Sequence, residues 1–180
     1  LVGSGRSAFR VILNEIQLQD KIILMPEYLC GEAQIPVLKQ IGIRYQYYPV
    51  SKNLTISNEG LTSILTPDIG AVLMINYFGL REHGEVANQI RAYNPDIQII
   101  EDRTQAFYGM ANQTSANHWA DFTFSSFLKS FAVPDGGCVR GKRRLKSVIP
   151  EPSSSQGVSY LLGGLLKHEY LNPDAYTMQP

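Results

Sequence analysis

This sequence predicts an α/β fold: a mostly parallel sheet with helices on both faces. Three observations carry the prediction. Short apolar runs of strand length alternate with segments whose apolar residues recur at helical spacing. The runs are apolar enough for a sheet covered on both sides, as βαβ units require. The chain is 180 residues long, about the size of one domain with a respectable core.

In order, the strand-like runs are 21–25 (KIILM), 43–48 (IRYQYY), 69–77 (IGAVLMINY), 96–101 (DIQIIE) and 121–126 (DFTFSS), with 137–140 as a further candidate. Helical spacing marks 7–18, 30–41, 58–65 and 84–93. In the first of these, Ala8, Val11, Ile12 and Ile16 share one face. Pro36 weakens the second, because proline removes a helix hydrogen bond. Residues 1–150 are expected to form the main domain, and 150–157 (PEPSSSQG) reads as a linker, so that 151–180 would be a linker and helical extension from Val158.

Sixteen basic and sixteen acidic residues cancel, so overall charge points to no polyanionic partner, and no nucleic-acid partner is expected. Five basic residues in 140–146 (RGKRRLK) read as a solvated face. Two cysteines are too few for a disulfide framework, and a reducing, cytoplasmic setting is expected. The most apolar stretch, 157–166, falls short of the roughly 18 residues that span a bilayer. The first residues lack the apolar region of a secretory leader. His83, His118 and His168 lack metal-ligand spacing. Trp119 reads as a packing anchor, and Tyr45, Tyr47 and Tyr48 alternate as strand residues do. With no methionine at position 1, the chain is expected to be a piece of a longer one.

Ligands of open α/β sheets bind beyond the carboxyl ends of the strands, and four features fall at such loops. Gly3-Ser4-Gly5-Arg6-Ser7 precedes a helix, where backbone N–H groups carry partial positive charge and glycines let a phosphate approach. It lacks a P-loop lysine, and the same residues also suit a plain helix cap. Asp102 follows a buried strand, where a carboxylate meets a ligand or a structural partner. Lys129 follows the next strand, three residues after Ser126. A wall of Phe124, Phe127 and Phe131 would desolvate its amine and free it for Schiff-base chemistry. Residues 133–137 (VPDGG) form a turn of ordinary kind.

Read together, these pieces resemble the DegT/DnrJ family of sugar aminotransferases, within the fold-type-I enzymes of pyridoxal 5'-phosphate (PLP). The landmarks are 3–9 (GSGRSAF), 25–30 (MPEYLC), 76–79 (NYFG), 101–106 (EDRTQA) and 126–137 (SFLKSFAVPDGG), in the family's order. The resemblance implies the PLP-dependent transferase (aspartate aminotransferase-like) major domain. It implies that Lys129 forms a Schiff base with PLP, then moves a proton between substrate and cofactor carbons. Asp102 would pair with the pyridine nitrogen and Gln105 would lie against the ring. Gly5 and Arg6 would offer N–H groups to the phosphate, with Ser126 adding a hydroxyl. Tyr28 and Cys30 would lie on the loop closing the ring's opposite side.

The family commonly places a serine five residues before the lysine, where this chain has Phe124. Arg103-Thr104 also replaces the small residues usual after the acidic pair. Both departures suggest a divergent branch. A full member is about twice this length, and only 158–180 would begin its smaller C-terminal domain. The implied activity is amino transfer, in a homodimer, from a small-molecule donor to a keto-sugar or related carbonyl acceptor, with a nucleotide-linked sugar as one option. A non-catalytic PLP-fold protein with a regulatory or assembly role is the alternative. A dinucleotide-binding domain would need the full glycine fingerprint and a strand before it.

Overall fold

The computed structural model describes residues 1–80, 82–107, 118–133 and 135–146, together with Val158, Leu162, Gly163 and Leu166. The chain runs α1 (Gly5–Ile16), β1 (Ile22–Pro26), α2 (Gly31–Ile41), β2 (Arg44–Tyr48) and α3 (Asn58–Thr62). It continues through β3 (Ile69–Ile75), α4 (Gly84–Tyr93), β4 (Gln98–Asp102), β5 (Phe122–Ser126) and β6 (Gly137–Gly141). All the strand-like runs become strands, and the four helical segments become helices.

The boundaries shift for local reasons. α1 starts two residues earlier than its apolar face suggests, because the Ser4 hydroxyl accepts from the Ser7 N–H and caps the helix. Pro36 sits inside α2 without ending it. The buried neighbours Ile35, Val37 and Leu38 hold the helix to the sheet across the missing hydrogen bond. α3 is three residues shorter than expected, its last turn opening after Thr62. The linker at 150–157 and the proposed boundary near 150 lie outside the described residues. Of the extension beyond, Val158, Leu162 and Leu166 are helical and exposed.

The strand order is β2-β1-β3-β4-β5-β6. Neighbours from β2 to β5 are parallel, and β6 returns antiparallel beside β5. Successive side chains of a strand face opposite sides, so the sheet supplies two cores. Ile23, Met25, Ala71, Leu73, Ile100, Phe122 and Phe124 pack on one side with α1 and α2. Leu24, Val72, Met74 and Ile99 pack on the other with α3 and α4. Tyr48 is fully buried there and donates its hydroxyl to the Leu73 carbonyl at 2.8 Å. Tyr45 and Tyr47 instead meet edge-to-face on the outermost strand.

The chain leaves β1 for β2 on one side, then crosses back to β3 on the other. Their carboxyl ends therefore part into a crevice, the place where such sheets take ligands. Among the described residues, no helix is long and apolar enough to cross a membrane.

Candidate functional site

A cavity of about 480 Å3 opens in that crevice, above the carboxyl ends of β1, β3, β4 and β5. Gly5, Arg6, Tyr28 and Cys30 line it from the α1 start and the loop after β1. Asp102, Gln105, Ser126 and Lys129 line it from β4, β5 and the turns after them. The eight residues to which the resemblance gave site roles thus line one cavity. Its size suits a small cofactor.

Asp102 ends β4 on the α1–α2 side and is 1% exposed. Its Oδ1 accepts from the Thr104 N–H at 2.8 Å, and its Oδ2 accepts from Gln34 Nε2 at 2.7 Å. Burial pushes its carboxyl above the ordinary value, while the bonds from Thr104 and Gln34 and the nearby Lys129 charge pull it back. Both hydrogen-bond donors are neutral. The carboxylate is therefore oriented but not neutralised by them, a suitable place for a cationic group.

The other end of the cavity is a helix start. Gly5 and Arg6 are the first residues of α1, where N–H groups point out of the helix with partial positive charge. Close packing brings this start to the end of β5. A Cβ on Gly5 would lie 3.1 Å from the Ser126 Cβ. Val2 and Gly137 exchange two backbone hydrogen bonds, and Gly136 N–H donates to the Gly3 carbonyl. At Gly137 a Cβ would fall 2.7 Å from the Ser125 oxygen and 2.9 Å from the Ser4 carbonyl, backbone atoms that cannot swing away. Gly137→Ala is expected to cost about 1–3 kcal/mol of stability by forcing these segments apart. It should also weaken binding of a phosphate-bearing ligand. Thermal unfolding and ligand titration of the variant check both.

Lys129 corrects one expectation. It closes a single 3-10 turn (Phe127–Lys129) after β5 and reaches the cavity, but it is exposed rather than walled in. Phe124 does line the cavity. Phe127 and Phe131 turn away and stack edge-to-face on Phe107, with ring centroids 5.6 and 5.0 Å apart. The expected wall of three phenylalanines therefore does not enclose Lys129, which is exposed at the cavity. Tyr28, Cys30, Gln105 and Arg6 are exposed as well, leaving that side of the cavity open.

Two lining residues, Gln34 and Tyr77, had no role assigned from the sequence. Gln34 is a polar residue on the buried face of α2, among Ile35, Val37 and Leu38, and that oddity was its available signal. Tyr77, just beyond β3, is buried and donates its hydroxyl to the Tyr28 carbonyl, tying down the loop after β1. Burial, then the charges of Asp102 and Tyr28, pushes its phenol well above the ordinary range. Asp135 and Gly136 also line the cavity, so the turn read as structural belongs to the site.

Glu101 and Arg103 face elsewhere. Glu101 is fully buried, accepting from Asn76 Nδ2 at 2.9 Å and lying 2.7 Å from His118 Nε2 and 3.7 Å from Arg103. This explains the departure at Arg103: the guanidinium answers a buried acid outside the cavity. Trp119 packs beside His83 and His118 as an anchor.

No protein-family model matches the chain, and no curated protein does. Solved structures of PLP enzymes match it. An aminotransferase from Psychrobacter cryohalolentis superposes with a TM-score of 0.68 at 14% identity, over 95% of this chain and 52% of that one. A Streptococcus pneumoniae protein assigned as a sugar aminotransferase, in its PLP form, gives 0.68 at 14% identity, over 94% and 55%. A GDP-4-keto-6-deoxymannose-3-dehydratase with a trapped PLP–glutamate geminal diamine gives 0.65 at 21% identity, over 79% and 39%. The fold is thus that of the PLP-dependent aminotransferases. This chain spans between 39% and 55% of the length of these three structures.

Proposed function

We propose that this chain is the cofactor-binding part of a PLP-dependent aminotransferase that passes an amino group to a keto-sugar or related small carbonyl compound. The observation that carries the reading is a single cavity where an amine, a buried carboxylate with neutral donors and a helix start converge. These residues fit PLP, which offers an aldehyde, a ring nitrogen that takes a proton and a phosphate. Bound PLP supplies an electron sink for a carbon that has lost a proton.

Lys129 would hold the cofactor through its Nζ. Its amine, when free, would hold and move a proton at the reacting carbon. Asp102 would keep the ring nitrogen protonated, as a buried carboxylate favours a cation at hydrogen-bond distance. The N–H groups of Gly5 and Arg6, with the Ser126 hydroxyl, would bind phosphate. Gln105 would lie along the ring, with Tyr28 and Cys30 on the loop at its far side. The reading includes a homodimer, a cytoplasmic setting and a substrate pocket completed by parts beyond those described. An amino donor and a carbonyl acceptor, which the reading allows to be nucleotide-linked, are its small-molecule partners.

The test adds PLP to the purified chain, follows its absorbance, reduces with borohydride and maps the modified residue by mass spectrometry. A cofactor fixed on Lys129, followed in unreduced samples by single-turnover conversion to the amine form with an amino donor, is the expected result. Fixation elsewhere, or none, would overturn the proposal. A coloured protein that converts no donor would favour the non-catalytic role.

A further inference from the structure

Gln34 occupies a costly position. It lies on the buried face of α2, 6% exposed, and lines the cavity. Its Nε2 donates to Asp102 Oδ2 at 2.7 Å, and its Oε1 has no hydrogen-bond partner. The amide is thus held in place by the carboxylate. A buried polar group with one end unmet lowers the stability of the fold.

We propose that Gln34 is a positioning residue for the cofactor ring, acting through Asp102 and resting on the PLP reading above. Two donors on separate elements, Gln34 on α2 and the Thr104 N–H beyond β4, grip the two oxygens and set the carboxylate's rotation. A cationic donor at position 34 would match the Asp102 charge and compete with a protonated ring nitrogen. A hydrocarbon would leave Oδ2 free to take a proton. A neutral amide does neither: it stabilises the charged form by hydrogen bonding and leaves the charge unanswered until a cation arrives.

The substitution Gln34→Met keeps the length of the side chain and removes the donor, so the apo melting profile reports any effect on folding. The probes are PLP and its carbocyclic analogue, in which a C–H replaces the ring nitrogen. Wild-type protein should prefer PLP. Gln34→Met should weaken PLP about tenfold or more, the worth of a hydrogen bond to a charged group, and leave the analogue nearly unchanged. Among the described residues, Lys129 and Tyr77 are titratable groups that interact with Asp102, and both remain in the variant. Without the Gln34 donor, Asp102 takes up a proton at higher pH. The pH at which the preference for PLP appears should therefore move upward.

Equal weakening of both ligands would assign Gln34 a merely structural part and overturn the inference, as would no change in either. A second variant, Gln34→Leu, repeats the comparison if the first unfolds. Wild-type protein that fixes PLP on Lys129 yet binds both ligands alike would sink this inference while sparing the cofactor reading. Wild-type protein that binds no PLP would remove both.

Discussion

Lys129→Ala should leave a protein that melts like the wild type but fixes no cofactor on borohydride reduction and transfers almost no amino groups. The side chain is exposed and ends a one-turn 3-10 segment, so its removal empties no core. Surface changes of this kind usually stay within about 0.5 kcal/mol. The chemical loss is separate from stability. A positioned group that moves a proton in the transition state contributes about a hundred- to ten-thousandfold in rate, and the covalent link disappears with it. The measurements are the melting curve, the reduced-peptide map and single-turnover conversion of an amino donor. Retained cofactor fixation in the variant would show that another amine does the work.

Asp102→Asn should move stability and affinity in opposite directions. In the apo protein, burial raises the Asp102 carboxyl above its ordinary 3.8. Between 3.8 and the raised value, the folded state retains a proton that the unfolded state has released. Stability therefore falls as pH rises through that window and stays lower above it. An amide at this position carries no charge to desolvate. It can still accept from the Thr104 N–H and donate to the Gln34 carbonyl oxygen. The variant is thus expected to melt higher than wild type near neutral pH, with the gain vanishing in acid, where both side chains are uncharged. PLP binding should weaken about a hundredfold or more, because breaking a buried charge pair is severe. Melting curves at two pH values and a PLP titration check the two halves. A variant that loses stability at neutral pH would show that the carboxylate is structural.

Much of this was legible in the chain. Each β-strand is an apolar or alternating run, and Asp102, Ser126 and Lys129 sit where such runs end, so topology delivers them to one crevice. The helix start was legible too, since Gly5 and Arg6 open a helix whose cap is local. What a sequence does not display is pairing across the fold. Gln34 meets Asp102 only because α2 packs over β4's end, and Tyr77 meets Tyr28 only because β1 and β3 are neighbours. The mistaken wall around Lys129 has the same origin. Three phenylalanines near a lysine suggest an apolar pocket, but the direction of Phe127 and Phe131 depends on Phe107, which arrives from another loop. Pro36 shows burial overruling local preference: apolar packing on both sides outweighs one lost backbone bond.

The stitch between Val2 and Gly137 has a consequence for how the molecule is made. These partners come from nearly opposite ends of the described body, and closing so large a loop is slow and entropically unfavourable until other contacts have formed. The inner strands can pair while the chain is still emerging from the ribosome, but α1 cannot be tied to its neighbour until β6 has been synthesised. The helix-start end of the cavity is therefore among the last parts to mature. A nascent chain stalled before position 137 should hold much of its sheet and capture no cofactor.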